Sequence, residues 1–127
     1  MCKLLIVDGS AAVRRILMRA ISEAEVAIDQ ILEAATGVEA LACLDANPDL
    51  DLILSEADVA ELGGAELVAR VRQRYAADDL PVLFVDAASP VRQGALGWQE
   101  LGADGVLVSP FTSQSLHLAL DPFVTHS

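Results

Sequence analysis

A chain of 127 residues is the size of one domain and is long enough to bury a core without disulfides or a structural metal. Its composition is 54% hydrophobic but only 4% aromatic, so that core is aliphatic. The formal net charge of −11 makes nucleic acid and membrane surfaces poor partners for the domain by itself. Met1-Cys2-Lys3 leads into LLIV without an h-region or cleavage site, and no apolar run approaches the ~18 residues of a membrane span, so a cytoplasmic protein is expected. Cys2 and Cys43 fit no disulfide or metal framework and are expected as buried thiols.

The first element is KLLIV, Lys3 to Val7, a continuous apolar run suited to a strand buried on both faces. Asp8-Gly9 ends it and Ser10 caps a helix, whose Val13, Ile16, Leu17, Ala20 and Ile21 recur at helical spacing. Arg14-Arg15 are expected on that helix's exposed face. A second strand is predicted over Gln30 to Ala35, followed by a helix from Thr36-Gly37 to Asn47-Pro48 with Val38, Leu41, Ala42 and Leu44 inward. Leu50 to Ser55 reads as the third strand and runs into the acids Glu56 and Asp58.

Gly63-Gly64 breaks the chain before a helix with Leu67, Val68 and Val71 inward and Arg70, Arg72 and Arg74 mostly outward. PVLFV, Pro81 to Val85, is the fourth strand and ends at Asp86. A fourth helix is predicted from Pro90 to Leu101, a fifth strand over Gly105 to Val108, and a short fifth helix over Thr112 to Leu120. Five alternations of strand and helix imply a doubly wound parallel α/β sheet with helices on both faces. In such a sheet the site lies beyond the strand carboxyl ends, which here carry Asp8, Glu56, Asp86 and Ser109.

The stretches LLIVDGSAAVRRIL, DLILSEADVAELGGAELVARVR, LPVLFVDAA and LGADGVLVSPFT together resemble the receiver domain of two-component response regulators, of the chemotaxis type, over essentially the whole chain. The order and spacing fit, apart from what reads as one extra residue between Asp86 and Gly102. The resemblance implies a flavodoxin-like fold with strand order 2-1-3-4-5. It also implies phosphoryl transfer to an aspartate, with magnesium held by two adjacent acids after the first strand. Those acids read Asp8-Gly9 here, the phosphoacceptor position is Glu56, and the position two further on is Asp58. The hydroxyl that grips the phosphoryl oxygen falls at Asp86, the lysine at Ser109, and the aromatic relay at Val106.

Phosphoryl transfer needs a positioned nucleophile, a divalent cation and fixed positive charge around the developing anion. Glu56 is one methylene longer than aspartate, Ser109 carries no charge, and Asp86 adds a negative one. Each departure opposes phosphorylation. Glutamate as a mimic of the phosphorylated state is disfavoured, because its hydroxyl and lysine partners are absent. Two unit charges about 5 Å apart repel by roughly 3 kcal/mol at an effective dielectric of 20. Asp8, Glu56 and Asp86 therefore have three exits: a shared proton, a bound cation, or a side chain swung into a water-filled mouth, which ranks first. An arginine folding in, with Arg92 as a weak candidate, is a further one. No metal is expected, Asp8 and Glu56 being weak candidates, and magnesium affinity is expected to be poor. Asp8 alternatively holds loop amides.

Trp98, beside Gly94 and Gly97 on the fourth helix, reads as core filler or as a partner-facing anchor. His117 reads as a solvated face residue, His126 as part of a tail, and Ser109-Pro110 as a cis peptide on the strength of the resemblance. The expectation is one receiver-like domain over 1–127, either whole or the N-terminal part of a longer protein. It is non-enzymatic, degenerate at its phosphorylation site and without cofactor, and acts through contacts with a sensor kinase, an output domain or another receiver. A homodimer through the fourth helix, fifth strand and fifth helix, with Trp98 and Val106 on that face, is the candidate assembly. The alternative is a phospho-accepting receiver with a non-standard magnesium-dependent acidic site around Glu56. A small-ligand binder on the same fold is a third class.

Overall fold

The computed structural model describes residues 2–56, 61–87, 102–109 and 112–124. The expected fourth helix, with Arg92, Gly94, Gly97 and Trp98, lies outside them, as do Asp58, Pro110 and His126. The described strands are β1 (Lys3–Val7), β2 (Gln30–Ala34), β3 (Leu52–Glu56), β4 (Val82–Ala87) and β5 (Gly105–Ser109). The described helices are α1 (Ala11–Glu23), α2 (Gly37–Ala46), α3 (Gly64–Arg72) and α4 (Ser113–Leu120), the last being the fifth helix expected from the sequence. A 3-10 turn over Asp121–Phe123 closes the described chain.

All strand pairs are parallel, in the order β2-β1-β3-β4-β5. This is the flavodoxin-like arrangement the sequence led to. Period-2 alternation divides each central strand between two cores. Leu5, Val7, Ile53 and Phe84 face α2 and α3, where Ala40, Leu44, Leu67 and Val71 close one layer. Leu4, Ile6, Leu54 and Leu107 face α1 and α4, where Leu17, Ile21, Leu116 and Leu120 close the other. Covering both faces is what makes the strands read as unbroken apolar runs.

Helix starts follow local chemistry. Ser10 accepts from the Val13 amide, Thr36 from Glu39, and Thr112 and Ser115 form a reciprocal capping box. Gly63 precedes α3 with φ +79°, a conformation that favours glycine. Leu50 belongs to a turn before β3, its amide bonded to the Asn47 carbonyl, so the third strand starts at Leu52 and takes in Glu56.

Several expected orientations are corrected. Ile16 and Val38 are exposed. The inward stripe of α2 is Gly37, Ala40 and Leu44, which leaves Val38 and Ala42 on the outer side. Cys2 is buried as expected, but Cys43 is only partly so, and burial raises its thiol pKa. Arg72 does not point outward: it pairs with Asp104 and donates to the Leu80 carbonyl, tying α3 to the β4 and β5 entrances. His117 is half-exposed, but it also bonds the Ala24 carbonyl at the end of α1 through Nδ1, at 2.9 Å.

Candidate functional site

The carboxyl ends of β1 and β3 lie side by side, with Val7 opposite Ser55. Asp8 and Glu56 therefore meet just past the sheet. The Asp8 amide donates to the Ala34 carbonyl at 3.0 Å, continuing the β1–β2 ladder by one bond. The residue is 6% exposed, and its Oδ1 accepts from the Ser10 amide at 2.8 Å. This is the alternative, loop-holding role expected of Asp8, an Asx turn feeding the α1 cap.

Glu56 turns toward the β1 loop rather than outward, while the side chain of Asp86, the third acid of the expected cluster, lies outside the described residues. The Glu56 Oε1 accepts from the Gly9 amide at 3.3 Å, and the residue is half-buried. The extra methylene lets the carboxylate reach across from β3 to the β1 loop. Burial pushes its pKa upward; the Gly9 amide opposes this, and the neighbouring Asp8 carboxyl adds to the rise. A Cβ on Gly9 would find the Ala35 carbonyl oxygen at 3.7 Å and Glu56 Oε1 at 3.8 Å, which is ordinary contact. Packing does not demand glycine there.

Asp86 and Ser109 occupy the matching ends of β4 and β5, opposite Val108 and Ala87 in the strand register. The backbone thus gathers four of the expected positions along one sheet edge. Val106 stands mid-strand, half-buried, opposite Phe84. Buried Ser55 donates its hydroxyl to the Glu56 carbonyl at 2.9 Å.

The residue that sequence reasoning missed is Arg14. It was expected on an exposed face with Arg15; only Arg15 is there. The Arg14 side chain is 16% exposed, its Nη1 donates to the Asp8 carbonyl, and its Nε pairs with Glu33 at 2.9 Å. One signal was available: parallel pairing of β1 with β2 sets Glu33 near the end of β1, one turn of α1 away. Among the described residues, the cation that reaches this loop comes from α1.

The same arrangement of strands recurs in known proteins. Residues 4–121 match the profile of the response regulator receiver domain. The chain is 32% identical over 119 residues to a chemotaxis protein CheY homolog of Campylobacter jejuni, covering 94% of this chain and 89% of that one. It is 31% identical to chemotaxis protein CheY1 of Helicobacter pylori, covering 94% of each. Among solved structures, the chemotaxis response regulator CheY4 of Vibrio cholerae superposes with a TM-score of 0.77 at 27% identity, covering 98% of this chain and 99% of that one. A probable two-component response regulator/GGDEF domain protein matches with a TM-score of 0.77 at 26% identity, covering 93% of this chain but 47% of the longer one. With the sheet order and the profile in agreement over nearly its full length, the chain belongs to the response regulator receiver domains of two-component signalling.

Proposed function

We propose that this receiver signals without being phosphorylated, as a non-enzymatic module read through its protein contacts. The carrying observation is Glu56 folded onto the Gly9 amide beside Asp8. A carboxyl held there, with its charged form disfavoured by burial, is a poor nucleophile toward a phosphoryl donor. Ser109 offers no positive charge to a transferring phosphoryl group, and phosphoryl transfer depends on such charge.

The donor set supports weak magnesium binding at most. Gly9 brings no carboxylate, and Asp8 and Glu56 each commit an oxygen to a loop amide. Magnesium requires near-ideal octahedral geometry and gives up water reluctantly. Among the described residues no group of three carboxylate, imidazole or thiol side chains is placed to hold a metal ion.

Receiver domains meet protein partners such as kinases and output domains. For this chain the candidate face is the segment 90–101, β5 with Val106, and α4, either for such a partner or for a second copy. With no described helix long and apolar enough to cross a membrane, a cytoplasmic location accords with this role.

The test is intact-mass measurement after incubation with an acyl-phosphate donor and magnesium. The expected result is an unchanged mass. An added phosphate that disappears in Glu56→Gln would overturn the proposal and establish a non-standard phospho-accepting site around Glu56.

A further inference from the structure

Arg14 differs from the other described arginines. Arg19, Arg70 and Arg74 pair with carboxylates at the surface, and Arg72 braces the opposite end of the sheet. Arg15, the next residue, is exposed and makes no ion pair among the described residues. Arg14 is mostly buried and forks between two elements, to Glu33 on β2 and to the main chain after β1.

The carbonyl it holds belongs to the Asp8–Gly9 peptide. The amide of that same peptide donates to Glu56. A peptide unit is planar and rigid, so a bond at its oxygen fixes the direction of its N–H. A guanidinium on the oxygen also polarises the group and strengthens its N–H as a donor. The chain of contacts therefore runs from Glu33 through Arg14 and the Asp8–Gly9 peptide to the Glu56 carboxyl.

We infer that Arg14 is a positioning residue for Glu56, acting through the Asp8–Gly9 peptide and anchored by Glu33. It supplies from α1 the positive counterweight that the end of β5 lacks, and it does so through the main chain rather than by touching a carboxylate of the acidic pair. The inference deepens, and rests on, the reading that Glu56 stays unphosphorylated and folded inward.

The experiment compares Arg14→Gln with Arg15→Gln, which removes the same charge from the neighbouring, exposed position. The readouts are the carboxyl carbon shift of Glu56 and the amide shifts of Gly9, recorded by NMR on the unphosphorylated protein at pH 7. Glu56 is the informative group, because the Arg14 side chain bonds Glu33 and the Asp8 carbonyl rather than Glu56, and a purely local packing loss leaves the Glu56 carboxyl unmoved. The expected result is that both signals move in Arg14→Gln, and move less in Arg15→Gln. Glu33→Gln, which leaves Arg14 in place but loosens its anchor, is expected to shift them in the same direction by a smaller amount. It also keeps the test readable if Arg14→Gln does not fold. A Glu56 carboxyl signal that responds equally to the Arg14 and Arg15 variants, or ignores Glu33→Gln, overturns the inference. Added phosphate in the mass measurement would instead overturn the reading beneath it, so the two failures are distinct.

Discussion

At Glu56 three influences act on one carboxyl: burial and Asp8 favour the protonated form, while the Gly9 amide favours the charged one. Burial is the largest, and the balance raises the pKa above the usual 4.5. A carboxyl whose folded pKa is raised binds its proton more tightly in the native state. Its destabilising effect is absent below the unfolded pKa and fully present above the folded one, so it costs stability as pH rises through that window. Glu56→Gln keeps an oxygen to accept from Gly9 and removes the charge. It is expected to raise the urea midpoint at pH 7, with the gain shrinking as pH falls through the raised folded pKa toward 4.5 and gone below it. Equal gains at pH 7 and in acid would contradict this origin. Residue identity made the acidic site legible in the sequence, because Asp8 and Glu56 follow apolar strands. The inward fold of Glu56 was not legible, since it depends on the distance between two loops. Arg14 was missed for the same reason: helical periodicity places it near a boundary, and only Glu33 and the Asp8 carbonyl decide which way it turns.

Among the elements, α2 is the one whose face was misjudged. Hydrophobicity nominated Val38 and Ala42, yet the helix packs through Gly37, Ala40 and Leu44. Gly37 is the cause. A Cβ there would collide with Leu62 Cβ and stand 3.2 Å from its Cδ2, so the close approach of the helix start to Leu62 requires the absence of a side chain. Alanine is a better helix former than glycine by about 1 kcal/mol, which at an open position would stabilise α2. Here overpacking wins: Gly37→Ala is expected to destabilise by about 1–3 kcal/mol, measured by urea denaturation. A stabilised variant would mean that Leu62 yields freely. The caps behave differently, since Ser10, Thr36 and Thr112 act on amides three residues away and are readable from sequence alone.

For the whole molecule, the sheet separates two aliphatic cores that share no buried residue. Ile21 belongs to the α1–α4 side and Ile53 to the α2–α3 side. Each Ile→Val change is expected to cost about 0.5–1.5 kcal/mol. The double variant should equal the sum within about 0.5 kcal/mol, because the sites lie on opposite faces with different partners. A coupling larger than that, measured by denaturant titration, would show that strain passes through the sheet. What the amino-acid order determined by itself was the alternation of apolar strands and amphipathic helices, the capped helix starts, and the acids at the strand ends, all set by local chemistry and periodicity. Only the tertiary structure decided that Glu56 folds onto Gly9, that Arg14 turns in to hold Asp8, and that Val38 and Ile16 face out. Those outcomes depend on which elements become neighbours across the sheet, and no window along the chain contains that information.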